Sequence, residues 1–108
     1  MRRGDIVTVA GGVYATKPRP ALVIQDDRFD ATDSLTVCPL TTTAVEAPLL
    51  RVPVPADASS GLSQESYLMV DKVTTVRRSN AHAVVGRLES TTLVEFERRL
   101  LVFLGFGG

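Results

Sequence analysis

KPRPALVIQ, residues 17–25, is the stretch that decides the fold: an arginine lies between two prolines, and four apolar residues follow at once. The apolar run does not alternate with polar residues, so we expect a strand over residues 20–25 that is covered on both faces. Each proline fixes its own φ near about −65° and pushes the residue before it toward extended backbone. The sequence therefore predicts that Arg19 is presented on a stiff, extended backbone at the start of this strand.

Further short β segments lie on both sides of this strand, and turn residues separate them. We expect strands over residues 6–10, 35–40, 49–54, 66–70 and 84–88, with residues 72–76 either continuing the fifth strand or bending away from it. Pro53 and Pro55 cannot donate to a ladder of hydrogen bonds, so they place the end of the fourth strand at an edge of the sheet. Polar loops are predicted over residues 11–17, 26–33 and 56–64.

After residue 88 the apolar spacing changes from that of a strand to that of a helix. Apolar side chains recur three or four positions apart, at Leu93, Phe96, Leu100 and Leu104. Thr92 and Glu95 fit a capping box at the helix start, and Gly105 fits a cap at its end. Glu95 and Arg99 fit an ion pair one turn apart. Five or six strands followed by one helix predict a mainly β fold, either a strongly bent sheet or a small, partly open barrel, with the helix packed against it.

Composition limits the classes of protein to which this chain can belong. Its 108 residues fit one domain with one core, so we expect a single domain over residues 1–108. The 12 basic and 12 acidic side chains balance, so an anion-binding surface must come from how the charges are distributed. One cysteine excludes an internal disulfide and, with a single histidine, argues against a structural metal site. Because no apolar run approaches the ~18 residues of a membrane span and no signal-peptide pattern is present, we expect a cytoplasmic protein.

Two features at predicted strand ends point to an anion-binding rim. A guanidinium on a stiff backbone, as at Arg19, loses less entropy when it binds a phosphate through two hydrogen bonds. Three threonines, residues 41–43, follow the third strand, and their hydroxyls can hydrogen-bond phosphoryl oxygens. Each feature also has a plainer interpretation: a solvated loop arginine in the first case, and β propensity with turn polarity in the second. Neither is specific alone, but strand ends can converge on one rim.

Basic residues elsewhere in the chain extend this hypothesis. They are Arg2, Arg3, Lys17, Lys72, Arg77, Arg78 and Arg87. A groove lined by several of them, among which we single out Lys17, Lys72 and Arg78, would follow a nucleic-acid backbone. The plainer alternative is charge scattered over the surface for solubility. We expect His82 to be an ordinary surface histidine in a polar turn, and Cys38 to be buried in a strand.

An ordered set of motifs runs through the chain. The motifs are RRGDIV at the start, KPRPALVIQ, CPLTTT, SYLMVDKVTTV, a Gly-Arg-Leu strand and a terminal helix that ends in Leu-Gly. In this order and spacing they resemble the MazF/PemK toxins, the toxin half of type II toxin–antitoxin systems. Each motif alone is short and common, but together they cover nearly the whole chain.

The resemblance implies a fold, an activity and partners. The fold would be a small SH3-like, partly open barrel of the CcdB/PemK type with a C-terminal α-helix, usually as a homodimer. The activity would be sequence-specific cleavage of single-stranded RNA without a metal or any other cofactor, which arrests translation and growth. A cognate antitoxin would neutralise the toxin by laying a segment across the dimer groove.

The resemblance also assigns catalytic residues. Arg19 matches the catalytic arginine of the family's Arg-Pro motif, and Thr41 matches the catalytic Thr or Ser after the third strand, with Thr42 next if the register is shifted by one. The implied reaction is attack of a ribose 2′-OH on the adjacent phosphate, which leaves a 2′,3′-cyclic phosphate and a 5′-OH. Since a guanidinium is a poor base, we expect Arg19 to stabilise developing negative charge while Thr41 holds a non-bridging oxygen. The general base is left unassigned.

Substrate contacts follow from the same comparison. Ser66, Asp71 and Lys72 match the RNA-facing stretch near the end of the fifth strand, where the family often has Gln in place of Lys72. The candidate substrate-binding residues are therefore Lys17, Thr42, Ser66, Asp71, Lys72 and Arg78. The first loop, residues 11–17, is shorter than in many members, and it helps to bind RNA and antitoxin there.

Two other functions compete with the ribonuclease. A CcdB-like toxin would share the barrel but block DNA gyrase through the end of its terminal helix, where we expect a tryptophan. This chain has no Trp and ends Phe-Leu-Gly-Phe-Gly-Gly, which counts against that alternative. A non-catalytic SH3-like binding module would have no need for Arg19 and Thr41 together.

Overall fold

The computed structural model describes residues 1–11 and 15–106. These residues form seven strands, β1 to β7, over Asp5–Gly11, Ala15–Val23, Ser34–Thr41, Arg51–Val54, Ser66–Met69, Thr74–Arg77 and Ala81–Arg87. They also form one α-helix, α1, over Ser90–Leu104, and short 3₁₀ turns at Asp27–Phe29, Val70–Lys72 and Arg78–Asn80. The predicted order of short strands followed by a terminal helix is confirmed, although the described residues form seven strands where five or six were predicted. Part of the predicted first loop, residues 12–14, lies outside the described residues.

β2 differs most from the prediction, because it begins at Ala15 and not at residue 20. Both of its prolines lie inside the strand, and in the pairing with β1 Thr8 is opposite Pro20 and Val9 is opposite Arg19. The fixed φ of proline is compatible with extended backbone, so the residues that we took for a loop continue the strand. Arg19 therefore lies within a paired strand, and the expectation that it marks the strand's start was wrong.

The sheet is antiparallel throughout, with the strand order β4-β5-β3-β2-β1-β7. β3 bends the sheet because two strands share one of its edges: β6 pairs with residues 34–37, and β5 pairs with residues 40 and 41. The turn Val70–Lys72 separates β5 from β6, so residues 72–76 bend away and do not continue the fifth strand. β4 lies at one end of the order, as its prolines predict, and within the described residues it does not pair with β7 at the other end. The sheet is therefore bent and not closed, as predicted for a partly open barrel.

The loop after β4 narrows the gap between the two end strands. The backbone N–H of Arg87 donates to the carbonyl oxygen of Ser59 at 2.8 Å. A Cβ on Gly86 would lie 2.1 Å from the carbonyl oxygen of Ser60, so this close approach of two backbones requires glycine.

The apolar run in β2 is covered on both faces, as predicted. Leu22 belongs to a buried cluster that includes Ile6, Cys38, Leu40, Leu68 and Phe96 of α1. Ala21 and Val23 belong to a second buried cluster that includes Val7, Val9, Leu35, Val37 and Val76. The alternation of residues 21, 22 and 23 between the two clusters shows which face each position of β2 presents.

Helix α1 begins three residues earlier than the capping box predicts. Glu89 is the N-cap residue and makes no side-chain cap bond, so Thr92 lies inside the helix and the capping box was wrong. Leu88 is buried just before it, and its N–H donates to Gly4, which fixes where the chain leaves β7. The predicted cap at Gly105 is confirmed by its φ of 84°.

The packed face of α1 is shorter than its sequence pattern predicts. Phe96 is fully buried, and Leu93 and Leu100 pack partly against the same cluster. Leu104 is 52% exposed, so the apolar stripe reaches the core only as far as Leu100. The predicted ion pair is confirmed, with Arg99 Nε 2.9 Å from Glu95 Oε1. Across residues 1–11 and 15–106, no helix combines the length and the apolar character that crossing a membrane requires.

Candidate active site

The candidate site lies where β2 and β3 stop pairing. The pairing of the two strands runs from Val23 opposite Val37 to Ala21 opposite Pro39 and ends there. The bond from the Ile24 N–H to the carbonyl oxygen of Thr36 places every second residue, 22 and then 20, in a hydrogen-bonded pair with β3, so Pro20 removes the donor where this ladder would continue. Continued by two residues, the same register would bring Arg19 opposite Thr41. The strands part instead, and a cavity of about 630 Å³ opens beside them.

The cavity collects residues from three strands. Its lining is Thr16, Lys17, Arg19, Pro20, Pro39, Leu40, Thr41, Thr42, Thr43, Ser66 and Met69. Lys17 and Arg19 supply two positive charges, and no acidic side chain stands among these lining residues. A chain with balanced total charge therefore has a locally cationic, hydroxyl-rich cavity. Such a surface suits a phosphodiester.

Arg19 is exposed, and its guanidinium has no hydrogen-bond or ion-pair partner within residues 1–11 and 15–106. Its backbone, in contrast, is held in the pairing of β2 with β1. Lys17 is exposed two positions earlier on the same strand, and both cations line the cavity. The arrangement fixes the backbone and leaves two charged groups available to an anion.

Thr41 is half-buried at the end of β3, and its hydroxyl is oriented by the chain that follows. The backbone N–H of Thr43 donates to Thr41 Oγ1 at 3.1 Å. This bond uses a lone pair of the hydroxyl oxygen and leaves the O–H free to donate. Thr42 is exposed on the same cavity. The structure thus brings Arg19 together with the threonines, which is the convergence that the sequence left open.

Ser66 lines the cavity but is itself buried. Its hydroxyl donates to the carbonyl oxygen of Gln64 at 2.9 Å, so the O–H is already occupied. A contact between Ser66 and RNA stays a prediction, and it would use the oxygen as an acceptor.

Three other predicted contacts lie outside this cavity. Asp71 accepts a hydrogen bond from Arg51 Nη1 at 2.6 Å, and Lys72 is exposed with its Nζ 4.0 Å from the same carboxylate. Arg78 donates through Nε to the carbonyl oxygen of Thr32 at 2.8 Å, near the start of β3 and so at the strand end away from Thr41. Their role in RNA binding remains a prediction.

The Arg51–Asp71 ion pair is a structural contact that no local sequence pattern predicts. Burial works to raise the pKa of Asp71, but the hydrogen bond from Arg51, a backbone hydrogen bond and the charges of Arg51 and Lys72 together outweigh it and lower the pKa below its usual range. Arg99 of α1 adds a second contact to β4, because its Nη1 donates to the carbonyl oxygen of Arg51 at 2.9 Å. β4, α1 and the turn Val70–Lys72 are therefore joined by charged groups beside the core.

Cys38 lies buried in a strand as predicted, whereas His82 is exposed as predicted but belongs to strand β7 and not to a turn. Cys38 is fully buried, and burial raises the pKa of its thiol to about 12. His82 is exposed on β7 and is absent from the cavity lining. In the part of the chain that the structure describes, no three His, Cys, Asp or Glu side chains lie close enough together to hold a metal ion.

Comparison with known proteins now decides the family. Residues 2–104 match the sequence pattern of the PemK-like, MazF-like toxins of type II toxin–antitoxin systems. The chain belongs to this family. The resemblance carried by KPRPALVIQ and CPLTTT is thereby confirmed.

Individual relatives agree with this assignment. The toxin is 58% identical, over 109 aligned positions that cover all of both chains, to a protein of Mycolicibacterium smegmatis named probable endoribonuclease MazF. A solved MazE–MazF structure from Deinococcus radiodurans covers 97% of the toxin and 96% of its own chain, with 26% identity and a TM-score of 0.81. A mycobacterial endoribonuclease solved with its cognate antitoxin covers 97% and 95%, with 22% identity and a TM-score of 0.78, which supports the fold.

Proposed function

We propose that this toxin is a metal-independent endoribonuclease that cleaves single-stranded RNA through attack of a ribose 2′-OH on the adjacent phosphate. One observation carries the proposal: Arg19 and Thr41 meet at one cationic cavity that has no acidic lining residue in the described structure. The relative from Mycolicibacterium smegmatis, named as a probable endoribonuclease, supports the same activity.

Arg19 and Thr41 divide the work at the scissile phosphate. The guanidinium donates two hydrogen bonds to the phosphoryl oxygens and stabilises the charge that grows as the 2′-oxygen attacks. The free O–H of Thr41 donates to a non-bridging oxygen and fixes the phosphate against the strand end. Lys17 attracts the neighbouring phosphate. Catalysis then rests on positioning and electrostatic stabilisation.

The bond changes define the products. The 2′-oxygen bonds to phosphorus and loses its proton, the bond from phosphorus to the 5′-oxygen breaks, and the leaving oxygen takes up a proton from water. The fragments carry a 2′,3′-cyclic phosphate and a 5′-OH. No carboxylate or imidazole stands among the described residues that line the cavity, so solvent takes the proton from the 2′-OH. DNA lacks this hydroxyl and is not cleaved.

The partners of the toxin follow from the same proposal. It acts on RNA in the cytoplasm as a homodimer, and a cognate antitoxin blocks the RNA-binding groove. A relative of similar fold solved with its cognate antitoxin supports the antitoxin as a partner. Exposed apolar side chains at the end of α1, among them Val102, Phe103 and Phe106, support the homodimer, because a monomer seldom leaves such groups together in water.

The test is cleavage of varied single-stranded RNAs by the purified protein in EDTA, with identification of the new ends. We expect 2′,3′-cyclic phosphates at a short motif, and loss of cleavage in Arg19→Ala. Arg98→Ala, which removes an exposed arginine of α1, is the matched control and should cut at the wild-type rate. Equal cleavage by Arg19→Ala would show either a contaminating nuclease or a different site, and the proposal would fail.

A further inference from the structure

Tyr67 is the direct cross-strand partner of Thr41. In the pairing of β3 with β5, Thr41 lies opposite Tyr67 and Leu40 lies opposite Leu68. Residues directly opposite in an antiparallel pair leave the sheet on the same face, with Cβ atoms about 4.5–5.5 Å apart. Leu40 and Leu68 both enter the buried cluster under α1, so Thr41 and Tyr67 both point to the other face.

The same face also carries Arg19. Leu22 of β2 enters the cluster under α1, whereas Ala21 and Val23 belong to the cluster on the opposite side. Because side chains alternate along a strand, Arg19 shares its face with Ala21. Arg19, Thr41 and Tyr67 therefore project from one side of the bent sheet, in that order across three strands.

The ring of Tyr67 is held at its polar end. Its hydroxyl lies 3.1 Å from Glu65 Oε1, and on the other side of β5 its cross-strand partner is Pro53. The side chain is half-buried, so part of the ring remains open to solvent. An aromatic ring that is oriented in this way and partly exposed can stack on a nucleobase with little loss of entropy.

We propose that Tyr67 stacks on the base of a nucleotide next to the scissile phosphate. The inference rests on the proposed ribonuclease function and adds a residue that the sequence analysis did not single out. Charge sets the direction of the strand. Lys17 and Arg19 attract phosphates at one side of Thr41, and the carboxylate of Glu65 repels them at the other. The backbone of the RNA therefore lies over β2, and a base turns toward β5.

Binding of a non-cleavable RNA tests the stacking. The RNA holds the mapped cleavage motif with a 2′-deoxy nucleotide at the attacking position, so that affinity is measured without reaction. Tyr67→Leu removes the ring but keeps an apolar side chain, and we expect affinity to fall about tenfold. Tyr67→Phe keeps the ring and should bind within about twofold of wild type. Phe29→Leu removes a 55% exposed aromatic ring elsewhere and should leave affinity unchanged.

An abasic nucleotide shows whether the ring contacts a base. One abasic position beside the scissile phosphate should weaken binding to wild type about tenfold and weaken binding to Tyr67→Leu no further. The maximal cleavage rate of natural RNA should change little in Tyr67→Leu, while the KM rises.

The outcomes separate this inference from the proposed function. If the wild type cuts RNA and Tyr67→Leu binds RNA as tightly as the wild type does, the stacking is refuted and the proposed ribonuclease activity stands. If Tyr67→Leu binds weakly but abasic positions weaken it further, the ring only supports β5, and the inference is again refuted. A wild type that cuts no RNA overturns both. If Tyr67→Leu fails to fold, the binding of RNAs with one abasic nucleotide to the wild type and to Tyr67→Phe decides. Stacking predicts that the same single abasic position weakens binding to both proteins, and a different result refutes it.

Discussion

Arg19 and Thr41 stand on neighbouring strands at positions that the shared register would place opposite each other, two residues beyond the last paired residues, Ala21 and Pro39. The pairing stops just before the two side chains, and the cavity that opens there is lined by both. Pro20 thus connects sequence to site, because its missing N–H removes the donor that would continue the ladder with β3.

The hydroxyl of Thr41 should contribute to the rate of cleavage. Thr41→Val keeps the shape and β propensity of the side chain but removes the donor aimed at the phosphate. We expect a fall of about 100-fold in the single-turnover rate, in the range seen when one donor to a charged transition state is lost. Thr41→Ser should recover most of the rate.

A matched control for Thr41 is Thr75→Val, which changes an exposed threonine of β6 outside the cavity and should leave the rate unchanged. A Thr41→Val enzyme that cuts at the wild-type rate would show that the hydroxyl does not contact the reacting phosphate.

The pH–rate profile of cleavage should show no inflection from the titration of a carboxylate or a histidine. The described cavity lining holds basic side chains and hydroxyls but no carboxylate or histidine, and lysine and arginine are cationic throughout pH 5–8. The logarithm of the single-turnover rate should therefore rise with pH with a slope of about one, as the 2′-OH loses its proton to solvent before the transition state. A bell-shaped profile over this range would point to a titrating side chain and would contradict the mechanism.

The sequence predicted those parts of the fold that depend on local pattern. Residues 21–24 predicted a strand covered on both faces, and the two buried clusters confirm it. The start of β2 was missed because Pro18 and Pro20 were taken to end the pairing, whereas their fixed φ fits a strand edge. The predicted capping box was wrong because the exit from β7, fixed by Leu88, places the helix start before Thr92.

The candidate site was only partly accessible from the sequence, for a physical reason. Arg19 and Thr41 each follow from local motifs, but their meeting depends on the pairing of β2 with β3. Tyr67 gave no local signal, since only the register of β5 makes it a neighbour of Thr41. Arg51 and Asp71 are 20 positions apart, and nothing in either segment shows that they form an ion pair.

The Arg51–Asp71 ion pair should stabilise the fold at neutral pH and lose this effect in acid. The two side chains are 13% and 24% exposed, so Asp71→Asn should lower the free energy of unfolding at pH 7 by about 1–2 kcal/mol. The pKa of Asp71 is lowered by folding, so the stabilisation is fully present above the unfolded pKa of about 3.9 and is lost as pH falls through the folded pKa.

Urea unfolding at several pH values measures this effect, and the difference between wild type and Asp71→Asn should shrink toward pH 3. Asp30→Asn is the control, because Asp30 is exposed and its carboxylate bonds no side chain or backbone group within residues 1–11 and 15–106. A constant difference across the pH range would rule out the ion pair as its cause. If the folded variant also shows a raised KM for RNA, Asp71 contacts the substrate as the family resemblance implies.

Gly86→Ala should open the contact that narrows the gap between β4 and β7. The new methyl group would stand 2.1 Å from the carbonyl oxygen of Ser60, a backbone atom that can move only if the loop moves. The bond from the N–H of Arg87 to Ser59 would then break, and we expect a loss of about 2–3 kcal/mol in urea unfolding. Gly105→Ala is the control for backbone strain alone, since its φ is 84° but no atom lies within 4 Å of the added Cβ, and it should cost about 1 kcal/mol.

The candidate site lies at the opposite edge of β1 from the contact between Gly86 and Ser60, so the folded Gly86→Ala protein should still cut RNA with an unchanged KM. Equal stability of the two variants would mean that the loop yields freely and does not hold the edge of β7.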